Sequence, residues 1–244
     1  MNEEGFKREN NRKADEKREI KIETGYLKTN PHSVLISVGD TKVLCAATTD
    51  NWTPPHVRNT DRGWISAQYS MLPNSSPDRV RRERVNVKGR TKEIERLIGR
   101  ALRSVCDLRA IPSESIIVDC DVIQADGGTR TASVTGGFVA LYLLIKHLHR
   151  ENKISRSPVN DFLAAVSAGV VHGKPLIDLD SSEDKAAQVD MNLVMTDSGR
   201  VSEIQATGEE STFSLEDFNS LIVLGKKGIK ELIVEQKKAL DIIN

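Results

Sequence analysis

Residues 115–133 read Ser-Ile-Ile-Val-Asp-Cys-Asp-Val-Ile-Gln-Ala-Asp-Gly-Gly-Thr-Arg-Thr-Ala-Ser, and they predict a strand, a tight turn and the start of a helix. The apolar residues 115–123 favour a buried strand, and residues 132–149 have the composition of a helix. Between them, Gly127 and Gly128 allow the backbone to turn sharply and to approach a ligand closely. This junction therefore indicates an α/β arrangement with a candidate site at the turn.

The polar residues of this turn suit an anion. The first N–H groups of the following helix have no partner within the helix and point at whatever lies before it. Arg130 adds a forked cation, and Thr129 and Thr131 add hydroxyls. Together they predict an anion cradle, most naturally for phosphate. The alternative is a purely structural turn with a solvated arginine, since neither a Walker loop nor a dinucleotide fingerprint is present.

Composition describes an ordinary soluble protein. The chain has 244 residues, with 35 Lys and Arg against 35 Asp and Glu, so net charge argues neither for nor against nucleic acid. No apolar run approaches the roughly 20 residues of a membrane span, and residues 1–21 lack the apolar core of a signal peptide. Cys45, Cys106 and Cys120 are far apart in apolar contexts, so we expect buried free thiols in a reducing cytoplasm.

Strands and helices alternate in two blocks, which predicts two packed α/β layers. Residues 1–16 are expected to form a flexible polar arm, residues 17–150 a first domain and residues 158–244 a second, with a linker near 152–157. Strand patterns occur at 20–23, 33–38, 42–48, 64–72, 115–123, 162–171, 176–179, 189–196 and 200–206. Helical patterns occur at 91–108, 132–149, 214–224 and 229–243.

A basic block precedes the first helix. Seven cations fall within fourteen residues, opposed only by Glu83: Arg79, Arg81, Arg82, Arg84, Lys88, Arg90 and Lys92. Such a local field could hold a polyanion backbone, although the aromatic residues of a base-stacking surface are missing. A solvated loop, or ion pairs with a neighbouring subunit, is the alternative. Arg90 differs because a cation at a helix start opposes the helix dipole and is tolerable mainly beside an anion.

An acidic cluster lies between two predicted strands of the second block and comprises Asp178, Asp180, Glu183, Asp184 and Asp190. Asp184 and Asp190 are expected to flank a short loop or turn. Carboxylates brought together share a proton or a cation, and oxygen ligands of this kind suit Mg²⁺. An acidic surface loop is the alternative. The three signals together are a phosphate cradle, an arm that binds a polyanion, and a carboxylate pair of the kind that holds a metal. No nucleophilic side chain accompanies them. This combination indicates phosphoryl transfer with a nucleophile supplied from solution.

Long motifs, in order along essentially the whole chain, carry a specific resemblance. They are Gly39–Cys45, Gly63–Ile65 with Tyr69 and Met71–Pro73, Gly89–Ile94 with Arg96–Ile98, Val118–Val122, Asp126–Ser133, Glu183–Asp184 and Asp190–Thr196. With these motifs the chain resembles the ribonuclease PH family of phosphate-dependent 3′-to-5′ exoribonucleases. The resemblance implies an α/β (α+β) fold of the ribosomal protein S5 domain 2-like type, a mixed sheet with helices, plus a second, smaller α/β portion.

The resemblance also implies roles for individual residues. Arg90, Gly128, Thr129 and Arg130 match the phosphate-binding residues of the family, and Asp184 and Asp190 match its metal-binding and catalytic carboxylates, with Asp184 favoured as the proton relay. Arg58, Arg79 and Arg82 are expected to bind RNA.

The implied activity is the reversible, phosphorolytic trimming of tRNA precursors and other RNA, including rRNA, in the cytoplasm. The family uses Mg²⁺, takes inorganic phosphate as co-substrate and forms a homohexamer, a trimer of dimers, with no membrane partner. The alternatives are a non-catalytic RNA-binding ring subunit and a nuclease that uses water. The chain departs from the family pattern at Arg18-Glu19, in the glycine-poor loop 54–62 and at Asn74. These departures concern tRNA binding and assembly rather than the chemistry.

Overall fold

The computed structural model of the protein describes residues 8, 11–52, 54–55, 57–82, 89–111, 115–209 and 211–243. Its fold consists of two sheets with a long helix between them. The strands of the first sheet are β1 (Ile20–Thr24), β2 (Ser33–Val38), β3 (Thr41–Asp50), β4 (Trp64–Met71) and β5 (Ser115–Gln124). The strands of the second are β6 (Leu163–Val171), β7 (Lys174–Ile177), β8 (Ala187–Thr196) and β9 (Val201–Gly208). The helices are α1 (Gly89–Ser104), α2 (Thr129–Arg150), α3 (Ser181–Lys185) and α4 (Leu215–Ala239).

The first sheet is mixed. Its spatial order is β1-β2-β3-β5-β4, and only the pairing of β4 with β5 is parallel. A parallel pair requires a crossover, and α1 supplies it. The second sheet has the order β7-β6-β8-β9 and is antiparallel throughout. The predicted mixed α/β fold with a smaller second portion is therefore confirmed.

Helix α2 forms the centre of the molecule. By length and composition it could cross a membrane, but 78% of its apolar window is buried inside the fold. It packs against both sheets: the Thr135 hydroxyl donates to the Ala165 carbonyl of β6, and Gln236 of α4 donates to the carbonyls of Thr135 and Leu163. A helix that is apolar on every side belongs in a core. The three cysteines are free and buried, as predicted.

The C-terminal helix corrects the prediction of two helices at 214–224 and 229–243. A single helix, α4, runs through Gly225 and Gly228. A Cβ atom at Gly225 would lie 2.6 Å from Cδ2 of Leu193, and one at Gly228 would overlap Cδ1 of Ile177. The glycines therefore allow the helix to approach the second sheet closely. Packing against the sheet outweighs their low intrinsic helix propensity.

The N-terminal segment also differs from the expectation of a flexible arm where it is described. The Arg8 and Arg12 side chains are buried against carboxylates of the segment 178–183. The backbone N–H of Ile177 donates to the Ala14 carbonyl at 3.0 Å. Ion pairing makes burial of these cations tolerable, so a polar composition does not require an exposed segment here.

Candidate active site

The predicted anion cradle lies at the junction of β5 and α2. Gly127 and Gly128 both have left-handed backbone conformations, with φ of 73° and 67°. A Cβ atom on Gly127 would lie 2.5 Å from the Leu179 carbonyl oxygen, so only glycine fits there. Gly128 is the N-cap of α2 and offers no side chain to the first N–H groups of the helix. These groups are therefore available to a ligand, as the sequence predicted.

Other side chains hold the turn from behind. The Thr41 hydroxyl donates to the Gly127 carbonyl at 2.7 Å and accepts from the Asp126 N–H at 2.9 Å. The Arg18 guanidinium donates to the Asp126 carbonyl. Because the carbonyl groups of the turn are bound on this side, its conformation is fixed before any ligand arrives.

Thr129 makes a hydrogen bond with Tyr69. The Tyr69 phenol oxygen and Thr129 Oγ1 are 2.9 Å apart, and Tyr69 is only 6% exposed. Burial raises the pKa of the Tyr69 phenol, although the bond to Thr129 and the charges of Arg90 and Arg130 act in the opposite direction. The phenol therefore stays protonated at neutral pH and can donate to Thr129. The Thr129 proton is then free to point at an anion.

Arg130 is oriented through a neutral amide. Its Nη1 donates to Gln205 Oε1 of β9 at 3.0 Å, and Gln205 Nε2 donates to Glu93 Oε1 of α1 at 2.9 Å. The amide can satisfy both partners in only one orientation, because its oxygen must face the guanidinium and its nitrogen the carboxylate. The chain of three side chains thus fixes one edge of the guanidinium and leaves its other N–H groups for a ligand.

The two predicted catalytic carboxylates come together here. Asp184 lies on α3, whereas a loop or turn was expected; Asp180 and Glu183 form a capping box that makes this short helix. Asp190 lies on β8. The pKa of Asp190 is raised to about 6. Burial is the main cause, and the negative charge of Asp184 adds to it.

The arginines counteract this effect. Partial loss of hydration raises the pKa of Asp184, while the charges of Arg130 and Arg90 lower it. Arg90 lies in the exposed first turn of α1, and its charge also lowers the pKa of Asp190. The structure therefore brings Arg90, Arg130, Asp184 and Asp190 into one electrostatic environment with the glycine turn.

The carboxylate pair fits Mg²⁺ better than a metal held wholly by protein. Among the described residues, no group of three or more His, Cys, Asp and Glu side chains could hold an ion. Mg²⁺ usually takes one or two carboxylates and completes its shell with water and substrate phosphates. Two carboxylates beside an open anion cradle match that preference.

The expected RNA-binding residues lie on two loops. Arg79 and Arg82 are exposed after β4, and Arg58 is exposed on the preceding loop. The loop after β4 is connected to the cradle, because the Ala125 N–H donates to the Ser75 carbonyl at 2.7 Å. Their binding to RNA stays a prediction. Of the basic block, Glu83, Arg84 and Lys88 lie outside the described residues.

Sequence reasoning did not assign roles to Tyr69 or Gln205. Both act through partners at least 60 residues away along the chain. The sequence carried only a weak signal for these roles. Tyr69 belongs to one of the motifs shared with the family, and Gln205 is one polar residue in a predicted strand.

Comparison with known proteins identifies the family. A model of domain 1 of the 3′ exoribonuclease family matches residues 16–145, and a model of domain 2 matches residues 161–228. Ribonuclease PH of Bacillus pumilus is 53% identical over 229 residues, covering 93% of this chain and 95% of the relative. Ribonuclease PH of Listeria innocua is 54% identical over 226 residues, covering 91% of each. That of Neisseria meningitidis is 49% identical over 231 residues, covering 94% and 96%.

Solved structures share the fold. Rice (Oryza sativa) Rrp46 aligns with a TM-score of 0.76 at 20% identity, covering 96% of this chain and all of the other. A chain of the Archaeoglobus fulgidus exosome with RNA bound to the active site aligns with a TM-score of 0.76 at 21% identity, covering 94% and 92%. These neighbours confirm the predicted fold, and the sequence relatives confirm the predicted resemblance. The chain belongs to the ribonuclease PH family of 3′ exoribonucleases.

Proposed function

We propose that the chain is a phosphate-dependent 3′-to-5′ exoribonuclease that trims the 3′ ends of tRNA precursors and other RNA, and releases nucleoside 5′-diphosphates. The observation that carries this proposal is the convergence of two arginines, the glycine turn and a carboxylate pair. A nuclease that uses water needs no anion cradle for its nucleophile. Relatives named ribonuclease PH at about half identity support the same activity.

Inorganic phosphate binds between Arg90, Arg130, the Thr129 hydroxyl and the first N–H groups of α2. One of its oxygens attacks the last phosphodiester in line, and the bond from phosphorus to the 3′ oxygen of the penultimate nucleotide breaks. The terminal nucleotide leaves as a diphosphate, and the shortened RNA has a free 3′ hydroxyl. One phosphoanhydride replaces one phosphodiester, so the reaction is reversible.

The 3′ oxygen needs a proton when it leaves. Burial raises the pKa of Asp184 and raises that of Asp190 to about 6, which favours the protonated forms of the two carboxyl groups when no metal is bound. Asp184 is the more exposed of the two and delivers this proton from the open side of the site. Mg²⁺, held by the same two carboxylates, would neutralise phosphate oxygens and favour the leaving group.

A single assay tests the activity. An oligoribonucleotide is incubated with Mg²⁺, with and without phosphate, and the products are identified. Diphosphates formed only with phosphate support the proposal. Monophosphates would show hydrolysis, and absence of cleavage would leave a non-catalytic RNA-binding subunit.

Arg130→Ala tests the phosphate site. Loss of a charge-assisted hydrogen bond of about 1.5–3 kcal/mol should lower phosphate use at least about tenfold. Arg150→Ala, at the far end of the same helix, is the control. Wild-type phosphorolysis by Arg130→Ala at low phosphate would contradict this role.

Asp184→Asn should abolish turnover while leaving RNA binding.

The RNA path is tested separately. Arg79→Ala and Arg82→Ala should weaken binding to all RNA sequences and flatten its salt dependence. The slope of log binding constant against log salt concentration should become shallower by about 0.7 for each phosphate of single-stranded RNA that the variant no longer neutralises. An unchanged slope would exclude both residues from the path.

Assembly and location follow the family. We propose a cytoplasmic homohexamer built as a trimer of dimers, without a membrane partner. The bacterial relatives and the structural similarity to exosome chains support this assignment. A measurement of the mass in solution tests the assembly.

A further inference from the structure

Arginines of the N-terminal segment, Arg8 and Arg12, form ion pairs with residues at the start of α3, the helix that carries Asp184. Arg8 makes a two-pronged ion pair with Glu183, with Nε and Nη2 at 2.7 and 2.9 Å from the carboxylate oxygens. Nη2 of Arg12 donates to Asp180 at 3.0 Å and to Glu183 at 3.3 Å, and its Nη1 donates to the Asp178 carbonyl at 2.9 Å. Asp180 and Glu183 are the two members of the capping box of α3. The arginines therefore hold the helix that carries Asp184 at its first turn.

Arg18 reaches the other half of the site. Its guanidinium pairs with both oxygens of Asp178, with Nε and Nη2 at 3.0 and 2.7 Å, and its own backbone N–H also donates to Asp178 at 2.7 Å. The same guanidinium donates to the Asp126 and Gly127 carbonyls of the glycine turn. One buried side chain thus binds the phosphate cradle and the start of the α3 segment together.

Burial makes these links rigid. The side chains of Arg12, Arg18 and Asp178 are all 7% exposed or less. Asp178 also has a left-handed backbone, with φ of 52°, which a residue other than glycine keeps only where its surroundings fix it. A direct bond adds to the link, since the Ser181 N–H donates to Asp126 Oδ1 at 3.2 Å.

We propose that Arg12 and Arg18 are positioning residues for phosphorolysis: Arg18 fixes the phosphate cradle against the loop 178–180, and Arg12 fixes α3, so that Asp184 faces the bound phosphate. The inference rests on the proposed function. The side chains of both arginines are 7% exposed or less and are bonded to these protein partners. Each acts through the residues that it holds.

The two arginines should fail in different ways. Arg18→Lys keeps the charge but cannot serve Asp178 and the turn carbonyls together, so the KM for phosphate should rise at least about tenfold. Arg12→Met should lower kcat about tenfold and raise the Mg²⁺ concentration for half-maximal activity, while the KM for phosphate stays unchanged.

Lys227→Met is the matched control. Lys227 pairs with Asp15 of the same N-terminal segment at 2.6 Å, but both side chains are about half exposed and neither contacts the loop 178–180. All kinetic constants of this variant should equal those of the wild type. Equal losses in the control and in Arg12→Met would show that general anchoring of the segment matters, and would overturn the proposal.

Hydrogen exchange separates positioning from folding. In folded Arg12→Met, the peptide 178–186 should exchange faster while the peptides of α2 stay protected. Unchanged exchange in that peptide, or lower melting temperatures with wild-type KM and Mg²⁺ dependence, would overturn the proposal. Should Arg12→Met not fold, Arg12→Lys is measured with the same readouts. An inactive wild type would refute the proposed function instead, and the exchange result would still decide whether Arg12 holds α3 in place.

Discussion

Tyr69→Phe provides a sharp test of how the cradle is organised. The substitution removes one oxygen from a buried ring and leaves the packing of that ring intact. At the site it removes the 2.9 Å bond to Thr129 Oγ1. We infer that the phenol is the donor in this bond, so its loss lets the Thr129 hydroxyl rotate and turn its proton away from phosphate.

A neutral hydrogen bond contributes about 0.5–1.5 kcal/mol, so kcat/KM for phosphate should fall about two- to tenfold. Initial rates of diphosphate release are measured over a range of phosphate concentrations at saturating RNA. Tyr142→Phe is the control, because that ring packs against Phe162 at the edge of the core, far along α2 from the cradle.

A double-mutant cycle decides whether the effect passes through Thr129. Thr129→Val removes the hydroxyl that Tyr69 orients, so adding Tyr69→Phe to it should cause little further loss. If the two losses in free energy simply add, the bond does not orient Thr129 and the reasoning is wrong.

Further predictions concern the rest of the site and the fold. Gln205→Leu should raise the KM for phosphate several-fold with little change in kcat, because Arg130 loses its orienting partner; steady-state kinetics at varied phosphate check this. Gly228→Val should destabilise the protein by about 1–3 kcal/mol through overpacking, whereas Lys226→Val on the exposed face should not, as thermal melts would show. The pKa of Asp190 is raised above its unfolded value, so its ionisation destabilises the metal-free fold as pH rises through about 6. Asp190→Asn should therefore raise the melting temperature of the metal-free protein above pH 6 and have less effect near pH 4; equal effects at both pH values would contradict this assignment.

Local rules predicted the geometry of the glycine turn well. Two glycines between an apolar strand and a helix determine the turn and its free N–H groups, and residues 126–130 adopt that geometry. These residues are neighbours along the chain, so no knowledge of the tertiary fold was needed.

The partners of the cradle could not be derived in the same way. Gln205 reaches Arg130 only because β9 is the edge strand beside β8, and that order is set by pairing across the whole sheet. Family resemblance placed Asp184 and Asp190 in the site, but spacing alone could not show that α3 would carry the first of them.

Two further differences have the same origin. The helical patterns at 214–224 and 229–243 predicted two helices, but α4 is continuous through Gly225 and Gly228, where the second sheet leaves room for nothing larger. The polar composition of residues 1–16 predicted a flexible arm, but Arg8 and Arg12 are buried against carboxylates 168 or more residues away along the chain. In each case a distant part of the chain determined the outcome.

The shared position of α2 has a consequence for cooperativity. The hydrophobic core built on the first sheet includes Leu163, Ala165 and Val194 from the second, and α2 lies between them. Neither the part of the chain that forms the first sheet nor the part that forms the second can therefore bury its apolar surface without the other. We expect one unfolding transition for the chain, and we expect fragments cut at the linker to be insoluble when produced singly and to refold when mixed.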